Sequence, residues 1–320
     1  MNLILKKLGP LANVEFDKLF LGQLLSHFAD GTIQFVIISM LLAKSHSAGS
    51  TMALFLFLFM LPQFLLSILA GAFVDKIPRK LILSGSTTYR AILIIILLIT
   101  IKTIELSSPL AYLFSFLTGC GAAFFYPAKQ ASLPNLIDSS QLKFANAINC
   151  AIGSIAFLFG AFLSNVLISN FGETSALIVV ASMYLSSGIV LSTLKFKYTQ
   201  KIEQAKQSIV EDIKLATSYL KTHKRTLSLV LMSICLSFIV AIFSNTLNSL
   251  ITDYYNLEFS ILTKIRTILG IGIVTGMAVT VFLARIMRIS HLFAVGFLTL
   301  CIALITSPFC DSVNEACFAG

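Results

Sequence analysis

The stretch Gly71-Ala72-Phe73-Val74-Asp75-Lys76-Ile77-Pro78-Arg79-Lys80 lies between two long apolar runs, and its reading decides the fold. Charged residues are costly in hydrocarbon. Asp75, Lys76, Arg79 and Lys80 therefore mark the segment as a short aqueous hairpin between two membrane helices, predicted near 53–73 and 81–102. Working outward, similar apolar runs recur along all 320 residues. The chain is 57% hydrophobic and only 12% charged, with 27 Phe and no Trp, and its mean hydropathy is +0.92. A soluble domain would carry roughly a quarter of its residues charged. Runs of about 20 apolar residues match a hydrocarbon core about 30 Å thick. The chain reads as an all-α polytopic membrane protein.

Further spans are expected near 19–42, 109–127, 144–168, 174–194, 227–250, 261–284 and 290–309. With the N-terminus cytoplasmic, the inside segments hold most of the basic residues: Lys6, Lys7, Lys18, Lys76, Arg79, Lys80, Lys129, Lys143, the run from Lys195 to Arg225, Arg285 and Arg288. The outside ends hold Lys44, Lys102, Lys264 and Arg266. The positive-inside bias thus places the N-terminus in the cytoplasm. The net charge of +9 reads as topology, and no nucleic-acid partner is expected; the expected partners are the lipid bilayer and a small-molecule substrate, with the protein monomeric. The six cysteines form no CxxC pair. Those in apolar runs read as packing residues, whereas Cys310 and Cys317 can pair if their polar tail faces an oxidising space.

The domain organisation expected is a cytoplasmic N-terminus over 1–18, a six-helix bundle over 19–194, a cytoplasmic linker over 195–225, and a partial second bundle of about three helices over 226–320. Within the linker, Ile209, Ile213, Ala216 and Leu220 recur at helical spacing; an amphipathic helix on the membrane surface and a solvated linker are equally compatible with this. Phe73 to Arg79 is echoed by Phe282 to Arg288 at an offset of about 209 residues, so the halves look like parallel copies. A complete second copy would extend roughly three spans beyond Gly320, which leaves open that the chain is a truncated product that does not transport.

The spacing Gly71-x-x-x-Asp75-x-x-x-Arg79-Lys80 resembles the loop 2/3 signature of the major facilitator superfamily. Residues 16–31 resemble the opening helix of the branch containing macrolide-type efflux proteins and the enterobactin exporter. Phe125-Tyr126-Pro127-Ala128-Lys129-Gln130-Ala131-Ser132-Leu133-Pro134-Asn135-Leu136 resembles that branch's turn between spans four and five. Lysophospholipid transporters share much of this second pattern. The resemblance implies two six-helix bundles rocking around a central site, the first complete here. It implies proton-coupled export of a small amphipathic or hydrophobic compound from a bacterial-type inner membrane, with lysophospholipid transport or flipping as the alternative. It also gives Gly71, Asp75, Arg79 and Lys80 the role of a conformational gate that latches the bundles.

The residues themselves suggest where coupling would reside. Gln23, His27, Asp30 and Gln34 share one face of the first span. Asp30 lies about 18 Å along that helix from Leu19, near mid-membrane. A carboxylate there must face the bundle interior or a water-filled cavity, and it is a candidate to take up and release a proton, with His27 as a relay. The plainer reading is that Asp30 bonds a neighbouring helix and His27 packs. Arg90, ten residues into the third span, needs an acidic, carbonyl or aqueous partner, and Asp30 is the natural one; otherwise it snorkels. The expected cavity lining is Gln23, Gln34, Gln63, Asn146, Asn149, Ser237, Ser244 and Asn248. No metal-ligand spacing, Walker sequence or nucleophile with a nearby base occurs, so neither a cofactor nor an enzyme activity is expected.

Overall fold

The computed structural model describes residues 13–42, 48–104, 106–138, 142–196 and 218–249, with isolated positions beyond. Six helices are defined there: α1 (Val14–Leu42), α2 (Ala48–Lys76), α3 (Arg79–Thr103), α4 (Ser108–Leu136), α5 (Leu142–Ser192) and α6 (Lys224–Ser249). Among the described residues there is no strand. Five segments among the described residues are long and apolar enough to cross a membrane, which fits a polytopic membrane protein. Within each helix the backbone satisfies its own hydrogen bonds, as a segment in hydrocarbon must.

Helix α5 is two helical arms joined end to end. Gly172 interrupts it with φ 78° and ψ 167°, a left-handed conformation that only glycine adopts without strain. The arms on either side run in opposite directions past α1: Gly160 lies against Gly31, Tyr184 reaches Asp30, and Leu191 sits back at Gly22. With α1 to α4 these arms pack into one helical bundle.

Two boundaries differ from the sequence expectation. The hairpin from Gly71 to Lys80 is almost all helix: α2 continues to Lys76, α3 begins at Arg79, and Ile77 and Pro78 alone form the link. Proline suits this position because it has no N–H to lose at a helix start. Likewise the presumed turn after span four is helical through Leu136, despite Pro127 and Pro134 inside it. Neighbouring groups occupy carbonyls in this last stretch, Ser132 Oγ donating to Ala128 O at 2.7 Å and Arg79 Nη1 to Ala131 O at 2.6 Å.

The start of α1 is tied down on three sides. Asn13 Oδ1 accepts from the Glu15 amide at 3.0 Å as an N-cap, while its Nδ2 donates to Leu136 O at the end of α4. Glu15 pairs with Lys18 at 2.8 Å and accepts from the Lys195 amide at 2.7 Å just past α5. These bonds close one end of the bundle.

Apolar packing falls into two clusters. One gathers Ile33, Ile37, Phe55, Ile94, Phe114 and Leu177; the other gathers Phe16, Leu19, Leu83, Phe125, Leu133 and Leu191. Between them lies a polar layer built from α1, α3, α4 and the second arm of α5. Outward positions are also apolar, as with Ile92, Ile96 and Ile99 of α3, which suits a lipid surround rather than water.

The 195–225 linker lies largely outside the described residues, although 218–222 is helical. Helix α6 matches the seventh span and lies against α2. The eighth and ninth spans and the Cys310–Cys317 tail lie outside the described residues, apart from isolated helical positions.

Candidate functional site

Helix α1 positions the site because it is the most enclosed span: 78% of its most apolar window is buried, against 28% for α2. Close approach makes this possible. A methyl at Gly160 would meet the backbone of Gly31 at 2.8 Å, so α5 and α1 touch through their main chains, as small residues permit in membranes. The polar stripe Gln23, His27, Asp30 and Gln34 is buried along its whole length, inside the bundle.

Asp30 is the centre of the polar layer. Its Oδ1 accepts from Arg90 Nη1 at 2.6 Å and from the Tyr184 hydroxyl at 2.6 Å, and its Oδ2 from the Tyr126 hydroxyl at 3.5 Å. Arg90 is fully buried, so it does not snorkel. Its Nη2 donates to Ser26 Oγ at 3.0 Å and its Nε to Ser86 O at 3.2 Å. Its guanidinium carbon lies 4.8 Å from the Tyr184 ring centroid and 4.9 Å from that of Phe125. Gly121 of α4 admits the arginine stem; a Cβ there would meet Arg90 Cγ at 2.8 Å. An arginine keeps its charge when buried, and here the charge is answered by carboxylate, hydroxyl, carbonyl and aromatic faces together.

A second basic group adjoins this pair. Lys129 Nζ lies 3.0 Å from His27 Nε2 and 5.3 Å from the Tyr126 ring centroid. The other imidazole nitrogen, Nδ1, is 3.9 Å from Asp30 Oδ2. His27 stacks on Tyr126 with centroids 5.6 Å apart. The sequence reading counted Lys129 among the charges that set topology. It is instead buried, 7% exposed, because α4 continues past Pro127 and carries it into the bundle.

An amide set extends from here towards the first arm of α5. Gln130 Nε2 donates to Asn146 Oδ1 at 2.9 Å, and Asn149 Nδ2 to Gln130 Oε1 at 3.1 Å. Gln23 Oε1 and Asn149 Oδ1 are buried acceptors that receive no hydrogen bond from a described residue. Gln63 turns back on its own helix, its Nε2 donating to Phe59 O at 3.1 Å. Ser237 lies on an exposed face of α6, and the side chains of Ser244 and Asn248 lie outside the described residues. The structure therefore brings together Asp30, His27, Arg90, Asn146 and Asn149 around α4, and leaves Gln63 apart.

The gate residues divide similarly. Gly71 is in the last turns of α2, Arg79 ties the start of α3 to the α4 carbonyl of Ala131 at 2.6 Å, and Lys80 is partly exposed; the Asp75 side chain lies outside those described. Five contributors escaped the sequence reading: Ser26, Tyr126, Lys129, Gln130 and Tyr184. Ser26 was findable, being one turn before Asp30 on the same face. Tyr184, 154 residues from its partner, carried no local signal. Among the described residues no group of three or more His, Cys, Asp or Glu could hold a metal.

The family model described as Major Facilitator Superfamily matches residues 19–317. The chain is 23% identical over 301 residues to YfiS of Bacillus subtilis, named as an uncharacterized MFS-type transporter, covering 93% of this chain and 71% of YfiS. It is 22% identical over 183 residues to a second such protein, YkuC of the same organism, covering 57% of this chain and 42% of YkuC. It is also 30% identical over 175 residues to the lysophospholipid transporter LplT of Photorhabdus laumondii, covering 55% of this chain and 42% of LplT.

Proposed function

This chain belongs to the Major Facilitator Superfamily, and from that premise we propose that it is a secondary active transporter of a small amphipathic or hydrophobic compound, exporting it in exchange for protons by alternating access. The observation that carries this reading is the ion pair between Asp30 and Arg90 inside α1 and α3. Neutralising Asp30 would leave the Arg90 charge buried without a described counter-charge, at a cost of several kcal/mol. Proton uptake by Asp30 is thereby tied to a change in how α1, α3 and α5 pack, which is what coupling requires. His27, between Asp30 and Lys129, is the residue through which that proton would pass. The buried oxygens of Gln23 and Asn149, which receive no hydrogen bond from a described residue, would meet hydrogen-bond donors on a substrate once the bundle opens.

The resemblance of α1 and α4 to macrolide-type efflux proteins and the enterobactin exporter supports the outward direction. The distribution of basic residues supports a cytoplasmic N-terminus, and this holds with Lys129 removed from the account; the family resemblance supports a bacterial-type inner membrane. The test is flux in proteoliposomes under an imposed pH gradient, native chain against Asp30→Asn. Gradient-driven flux in the native chain alone supports the reading; equal flux in both removes Asp30 from the mechanism.

Lysophospholipid movement is the second reading, favoured by the similarity to LplT and by a buried amine, Lys129, able to meet a phosphate. A fluorescent lysophospholipid crossing proteoliposomes without a pH gradient would select it over proton-driven export.

A further inference from the structure

We infer that the outer face of the bundle holds one anionic phospholipid, a single acyl chain of which lies in a groove between α2, α3 and α4 that backs onto the polar layer at Ser86 and Gly121. The groove has a volume of about 360 Å³ and is walled by Phe73 of α2, Ile77 of the link, Leu81, Gly85 and Tyr89 of α3, and Phe124 of α4, with Ser86 and Gly121, which contact Arg90, also lining it. This volume falls at the lower end of the roughly 300–1,000 Å³ typical of small-molecule sites. Its walls are almost wholly apolar, so its occupant there is hydrocarbon.

Length and charge identify the rest of the occupant. From Leu81 to Tyr89 the groove follows α3 for about 12 Å at 1.5 Å per residue, close to the ~15 Å that one leaflet contributes to a 30 Å hydrocarbon core. Its open end is the α2–α3 link, so a chain lying in it places its headgroup at Ile77 and Pro78. Lys76 is exposed in the last turn of α2 and Lys80 is partly exposed in the first turn of α3; neither pairs with a described acid. From Asp75 to Lys80 the chain carries three bases and one acid. Helix α3 also starts at Pro78 without a side-chain cap, presenting the positive end of its dipole to the same place. An apolar slot one leaflet deep under a cationic mouth fits a lipid whose phosphate bears the net charge, and fits a zwitterionic lipid less well.

Gly85 supplies the test, because it lines the groove and a Cβ added there meets nothing within 4 Å, so Gly85→Leu directs a side chain into the groove. The full chain is purified with phosphatidylglycerol and phosphatidylcholine at equal amounts, and retained lipid is counted by native mass spectrometry. The native chain and Gly85→Ala should each keep one phosphatidylglycerol in preference to phosphatidylcholine. Gly85→Leu should lose it. Lys76→Gln/Lys80→Gln, at the surface, should keep a lipid but lose preference by on the order of tenfold, as expected for two basic side chains near a charged headgroup. Equal retention of the two lipids by the native chain, or undiminished binding by Gly85→Leu, would overturn the inference. Should Gly85→Leu fail to fold, the lysine pair decides: unchanged preference in that variant rejects the site.

Discussion

Removing the Arg90 side chain beyond its stem is the most informative single perturbation. In Arg90→Met the hydrogen bonds to Asp30, Ser26 and Ser86 are lost, and Asp30 keeps only the hydroxyls of Tyr184 and Tyr126. An uncompensated charge left buried after its partner is removed costs about 3–5 kcal/mol. At roughly 2–4 °C per kcal/mol for a chain of this size class, the melting temperature should fall by on the order of 10 °C. Asp30→Asn alone strands the guanidinium instead and should cost a similar amount. The double variant removes both charges, so its loss should not exceed that of the worse single variant. Thermal unfolding of the purified protein in one detergent, across native, single and double variants, gives the cycle. The interaction energy should be about 3 kcal/mol, at the upper end for residues in contact. Strict additivity of the two single losses would refute the claim that the two groups stabilise the bundle as a pair.

Three further outcomes follow from the same geometry. Tyr184→Phe deletes a 2.6 Å hydrogen bond to a carboxylate and should lower stability by about 1.5–3 kcal/mol, read as a melting shift with the ion pair intact. Gly119→Ala places a methyl on the carbonyl oxygen of Phe59; it should separate α4 from α2 and destabilise by about 1–3 kcal/mol, whereas Gly85→Ala should be neutral or stabilise by up to about 1 kcal/mol. Gly172→Ala forces a non-glycine residue to φ 78° and should cost about 1–3 kcal/mol, detected as reduced folded yield and earlier thermal unfolding.

What the sequence made legible follows its periodicity. The apolar runs located the spans of the first bundle, and Arg90 and Asp30 could be matched because each was a costly charge in need of a partner. Helix ends were harder: proline at 78, 127 and 134 suggested interruptions, yet two of these positions lie inside α4, where Ser132 and Arg79 hydrogen-bond its carbonyls. That error carried Lys129 from the bundle interior into an imagined loop. Tyr184 and Tyr126 were invisible for a different reason. A tyrosine in an apolar span has no period or spacing to distinguish a packed ring from one whose hydroxyl meets a carboxylate, and only the fold decides. The groove beside Gly85 was equally hidden, since its walls come from three helices and its emptiest point is a residue with no side chain.

The polar layer between the two apolar clusters has a consequence for how the chain is made. Asp30 enters the bilayer 60 residues before Arg90 and 154 residues before Tyr184. At translation rates of about 5–20 residues per second, the carboxylate waits roughly 3–12 s for its cation and about 8–30 s for its hydroxyl. During that interval α1 is a poor occupant of lipid, and its tendency is to linger beside the insertion machinery until α3 emerges. On that schedule the Asp30–Arg90 pair would tie the departure of the first helix to the arrival of the third.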